Sequence, residues 1–147
     1  MKTLLFFSLL FFTLPVKSQV VTFGPTIHWN ISAKNTEVSG GLECALWYGY
    51  QSVDFGFDIS KSGGVIYTEY QTGLVFLGLS AGPCLYINNQ TAELGIQGSG
   101  WLNYYAGVDL RFRKTKSLQT TSPGLYFKIL NNTPKFNLGG NSLGSVM

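Results

Sequence analysis

The chain has 147 residues, two cysteines, one histidine and a formal charge of +3, and only 12% of its residues are charged. That length suits a leader plus one domain. No group of Lys or Arg is interleaved with aromatic residues in the manner of a nucleic-acid-binding surface, so that class of partner is set aside.

The first residues, MKTLLFFSLLFFTLPVKSQ, place Lys2 before an apolar run from Leu4 to Phe12, and a small residue, Ser18, closes the segment. This is the layout of a secretory signal peptide over 1–18. The run falls short of the roughly 20 residues that a membrane helix needs. Removal of Lys2 and Lys17 takes the ten basic residues to eight, against seven acidic ones, so the remaining chain is close to neutral.

From residue 19 onward no helical periodicity is sustained, and strict alternation takes its place. In 21–32, Val21, Phe23, Pro25, Ile27, Trp29 and Ile31 oppose Thr22, Gly24, Thr26, His28, Asn30 and Ser32. In 37–48, Val38, Leu42, Cys44, Leu46 and Tyr48 oppose Ser39, Gly41, Glu43 and Ala45. The third strand, 51–61, contains VDFGFDIS, which alternates without error. The run 64–88 slips phase at Phe76-Leu77 and reads as two strands. The run 94–113 is divided at Trp101-Leu102-Asn103-Tyr104 into two more, and 122–130 supplies the eighth.

Each strand is near the 9–11 residues that cross a bilayer at a 45° tilt, and an even count permits antiparallel up-and-down closure. The fold expected is therefore all-β, an eight-stranded antiparallel transmembrane barrel over 19–130. An Asn- and Gly-rich tail follows at 131–147.

The turns sort into two kinds. Those at 32–36, 61–64, 88–91 and 114–121 are polar; those at 47–50, 76–77 and 101–105 are aromatic. In a meander these alternate between the two ends. Trp47, Tyr48, Tyr50, Phe76, Trp101, Tyr104 and Tyr105 are thus expected as a belt at one membrane–water boundary, where amphipathic rings gather.

A soluble barrel alternates too, with a charged face in water. Here the charged share is about half of the roughly 25% usual for soluble domains. Lys34, Lys61, Lys114 and Lys116 all sit in or beside turns, while strand positions on the polar face carry mainly Gly, Ser, Thr, Asn, Gln, Asp and Glu. Small polar groups suit the inside of a narrow barrel. The apolar face is therefore expected to meet lipid. The competing reading is a soluble secreted barrel of lipocalin type, its apolar face lining a ligand cavity.

Over residues 20–130 this architecture resembles the small bacterial outer-membrane β-barrels, of which the transmembrane domain of outer membrane protein A is representative. Ser122-Pro123-Gly124-Leu125-Tyr126-Phe127-Lys128-Ile129 looks like that family's final-strand assembly signal, although there the signal usually ends the protein in an aromatic residue. The leader and strand composition are similar to those of Bacteroidota exported proteins. The resemblance implies a cell outer-membrane location, lipid as the main partner and, by association, other outer-membrane proteins.

The polar face carries Glu43, Asp54, Asp58, Glu69, Asp109, Arg111, Arg113 and Lys128. Unpaired charges inside a barrel cost several kcal/mol, so an ion-paired network is expected, with Asp58 near Arg111 and Arg113 at the polar-turn end. Those groups are read as structural, not catalytic, because a filled core admits no substrate. His28 lies on the polar face with no ligand or catalytic partner at sequence spacing, and no metal or cofactor is expected. Gly95-Ile96-Gln97-Gly98-Ser99-Gly100 has the outline of a phosphate loop, but it lies within strand alternation and lacks a following helix and Lys. Cys44 and Cys84 fall on opposite faces and are expected as free thiols.

Overall fold

The computed structural model describes residues 20–33, 35–74, 76–103 and 106–131, with residues 130 and 131 described by backbone alone. The leader, the tail beyond 131, Lys34, Tyr104 and Tyr105 lie outside the described residues. The strands are β1 Val20–Ile31, β2 Thr36–Tyr48, β3 Gln51–Ile59, β4 Gly64–Gly73, β5 Leu77–Ile87, β6 Ala92–Asn103, β7 Gly107–Lys114, β8 Gln119–Tyr126 and a short β9, Ile129–Asn131. From β1 to β8 each strand pairs antiparallel with the next in sequence, and β1 pairs with β2 on one edge and with β8 and β9 on the other. β9 continues β8 in unchanged register, since Ile27 faces Leu125 and Phe23 faces Ile129. The sheet is thus a closed eight-stranded up-and-down barrel, as the alternation foretold, and closure leaves no free strand edge.

The break between β8 and β9 has a local cause. Phe127 N–H donates to the Pro25 carbonyl at 3.1 Å, but Pro25 has no N–H to return the bond. The Phe127 carbonyl settles against Gly24, where any Cβ would collide with it. Halfway round the barrel the device recurs. Gly82-Pro83 of β5 faces the Thr68 carbonyl of β4, and the pairing skips from Tyr67–Cys84 to Tyr70–Ala81 without losing register.

Side chains divide by parity on every strand. β7 is the clearest, with Gly107, Asp109, Arg111 and Arg113 buried and Val108, Leu110, Phe112 and Lys114 exposed. The outward face is apolar around the barrel and far from marginally exposed: Leu94 is 77% accessible, Leu79 and Ile96 68%. The interior is mainly polar; Val65, Tyr67, Cys84 and Tyr86 form a small cluster that packs with Leu118 beneath the polar turns, and Ala45, Trp101 and Tyr126 are also buried. Cys44 faces outward and Cys84 inward, both as free thiols.

All four polar turns close in one way. The N–H of Ser32, Ser60, Asn88 and Thr115 donates to the carbonyl three residues on, at 2.8–2.9 Å. A polar side chain at that first position adds a second bond within the turn. Such Asx- and Ser/Thr-type turns explain why these positions are Ser, Asn and Thr.

Two expectations need correction. The sixth strand runs to Asn103 and the seventh starts at Gly107, later than the division at 101–104. Trp47 and Trp101 are not part of an outward belt. They share parity with Glu43 and Ser99 and turn into the lumen, their rings 6.1 Å apart and edge to face. Tyr48, Tyr50 and Phe76 do face outward at that end.

Candidate functional site

The lumen is built from residues of every strand, and its charged groups are held by register. All eight charged residues singled out above turn inward. Seven are buried, and the Lys128 side chain retains 12% accessibility.

Arg111 is the hub. One guanidinium nitrogen reaches Glu43 at 3.0 Å and Asp109 at 3.1 Å, and another reaches Asp58 at 3.4 Å. Arg113 pairs with the same Asp58 and donates to Gln97. The Tyr67 ring lies 4.6 Å beneath the Arg111 guanidinium and its hydroxyl donates to Glu43 at 3.0 Å, combining a cation–π contact with a hydrogen bond. Nearer the aromatic end, Lys128 bonds Glu43 at 2.8 Å, lies 3.7 Å from Asp54, and sits over the rings of Tyr126 and Trp47.

His28 is fully buried between two carboxylates, Nε2 3.0 Å from Asp109 and Nδ1 3.6 Å from Asp58. Nε2 shares a hydrogen bond with Asp109, whereas Nδ1 is buried with no hydrogen-bond partner, too far from Asp58 to make one. Gly124 lies directly against it, for a Cβ there would collide with His28 and Asp109. Thr26 adds a bond to Asp58 at 3.1 Å.

Glu69 takes no cation. Its oxygens accept from Gln97 Nε2 and Ser80 Oγ, each at 2.9 Å. Ser52 donates to Asp54 at 2.6 Å, and Gln71 turns its amide nitrogen to Asp54 and its oxygen to Trp101 Nε1. Trp47 Nε1 donates to Thr22 at 3.2 Å. The two indoles with Gln71 therefore close the aromatic end from within.

Small cavities lie within the lumen among the described residues. One of about 20 Å³ lies below the polar turns, faced by the Ser39 and Thr120 hydroxyls, which take no hydrogen bond from protein. Another of about 10 Å³ lies among Glu43, Asp54, Glu69 and Lys128. Each is the size of about one water molecule, and polar walls of this kind are where buried waters reside. Among the described residues, no group of three or more His, Cys, Asp or Glu side chains is arranged to hold a metal ion.

The structure therefore brings the charged residues into one network, with Glu69 bonded by neutral donors alone. His28 is the member that sequence spacing missed, because Asp58 and Asp109 reach it only through strand register. Tyr67, Gln71, Gln97, Tyr126 and the two indoles were also unassigned to the lumen network, although their parity with inward polar residues was readable. The sequence matches no protein-family profile, and it matches no curated protein.

Proposed function

We propose that this chain is an integral membrane protein of a bacterial outer membrane, a filled barrel with a structural or accessory role, acting as a component of a larger membrane assembly. The reading is non-enzymatic. The observation that carries it is the inverted arrangement of polarity, an ionic lumen inside a continuous apolar exterior. Soluble proteins rarely expose a contiguous apolar patch above a few hundred Å². Among the described residues, charged side chains on the strands turn inward, except Lys114 at the polar rim. Turns of four residues at the polar end offer little surface to an extracellular ligand, which favours an accessory role over a receptor or adhesin.

The competing soluble reading would place the apolar face on a ligand cavity, whereas here the lumen has room for little more than water. Fractionation tests the proposal. The protein should remain in the carbonate-washed membrane pellet and require detergent for a monodisperse state. A mature chain that folds and stays monomeric in plain buffer would overturn it. Co-purification from native membranes with a defined outer-membrane partner tests the assembly role separately.

A further inference from the structure

We propose that the cleft between the β3–β4 and β5–β6 turns seats the phosphate of an anionic lipid headgroup, with Lys61 supplying the charge. The inference rests on the membrane reading and adds to it a lipid class and a place. The cleft holds about 480 Å³ at the polar end of the barrel. Its foot is Ile59 and Ile87, both on outward-facing positions, and its upper wall is Lys61 with Asn89 and Gln90. An apolar foot beneath a cationic and amide wall is the profile of a lipid, acyl chain below and headgroup above.

The lysine is presented by construction. Glu37, at the start of β2, accepts from Ser60 Oγ at 2.9 Å, from Ser62 N–H at 3.2 Å and from Ser62 Oγ. The residues on either side of Lys61 are thus drawn toward Glu37, and Lys61 is left to line the cleft. Tyr86 Oη holds the turn from below through the Ser62 carbonyl at 3.0 Å. Gly63 lets it lie against β5, because a Cβ there would strike the Ile87 carbonyl, and its φ of 155° disfavours other residues. Glu37 is occupied by these bonds, and among the described residues Lys61 pairs with no carboxylate. A cation above the apolar belt with no partner of its own is matched by a lipid phosphate, each such lysine drawing anionic lipid toward the surface.

The β7–β8 turn provides an internal control. Glu93 accepts from Thr115 Oγ1, Ser117 N–H and Ser117 Oγ at 2.8–2.9 Å and presents Lys116 in the same way. Lys116 lines none of the clefts described, so charge alone separates from charge plus cleft.

The test uses the full mature barrel in phosphatidylcholine nanodiscs, with phosphatidylglycerol raised stepwise and amide shifts followed by NMR. Saturable shifts at 61–63 and 88–90 are expected, about fivefold weaker in Lys61→Gln and unchanged in Lys116→Gln. Inorganic phosphate at matched concentration should leave them unmoved. Equal response in Lys61→Gln, equal response to inorganic phosphate, or no response to phosphatidylglycerol by an inserted barrel each overturns the headgroup seat alone. Failure of the wild-type barrel to enter any bilayer overturns the membrane reading and the seat with it.

Discussion

The two faces of β7 stand one residue apart and obey opposite rules. Asp109, Arg111 and Arg113 are buried against His28, Glu43 and Asp58 of other strands, while Val108, Leu110 and Phe112 are exposed on the outside of the barrel. Inside, specificity comes from pairing, since a charge is tolerated only where its counter-charge is aimed at it. Outside it comes from exclusion, since the apolar columns carry no charge until the polar rim. The difference teaches that one strand can satisfy two solvents because side-chain direction alternates with a period of two.

Arg111→Ala tests the inner rule and should have the largest effect. It takes one cation from Glu43, which keeps Lys128, and one from Asp58, which keeps Arg113, and leaves Asp109 with His28 alone; breaking a buried pair from one side costs about 3–5 kcal/mol. The urea midpoint in detergent, followed by the fluorescence of lumenal Trp47 and Trp101, should fall sharply. An unchanged midpoint would mean that the network contributes nothing net.

Leu110→Arg, on the neighbouring residue, tests the outer rule. On a lipid face near mid-height, an arginine costs about 2–4 kcal/mol. The effect should appear in vesicles as lost stability or failed insertion. A soluble barrel would tolerate this exposed change or gain solubility from it, so a neutral result favours the competing reading.

Gly124→Ala asks whether the contact beneath His28 is as tight as the geometry shows. The added methyl must displace the imidazole or Asp109, and overpacking of this kind costs about 1–3 kcal/mol. A wild-type midpoint would show that the ring moves aside freely.

The same period of two explains what could and could not be read beforehand. Parity alone assigns inward and outward residues on every strand, and it marks a hairpin wherever cross-strand partners differ in parity, as Gly73 and Gly78 do. Asn103 and Gly107 are both odd-numbered partners, so the alternation passes through the β6–β7 turn without a slip, and the boundary was misplaced there. Trp47 and Trp101 had the inward parity of Glu43 and Ser99, but residue type suggested a belt; direction along the strand was the better guide. His28 needed more than parity. Its partners lie 30 and 81 residues away in the chain and meet it only once strand stagger is fixed.

The smallest effect belongs at the rim, where both rules relax. Lys116→Ala removes an exposed side chain that forms no ion pair among the described residues and should leave the midpoint within about 0.5 kcal/mol of wild type. Glu93 beneath it is different. The Ser117 amide foremost, then the Thr115 and Ser117 hydroxyls, hold its carboxyl below the usual carboxylate range. A carboxyl depressed in the folded state contributes its stability above the unfolded value, roughly 4.3, and loses it as pH falls through the lower folded value. The Ser117 amide resonance should therefore hold its position through neutral pH and move only in acid. Lys116→Ala should shift that titration little, because hydrogen bonds outweigh the lysine's field, whereas a midpoint restored to the ordinary glutamate value would assign the effect to the lysine instead.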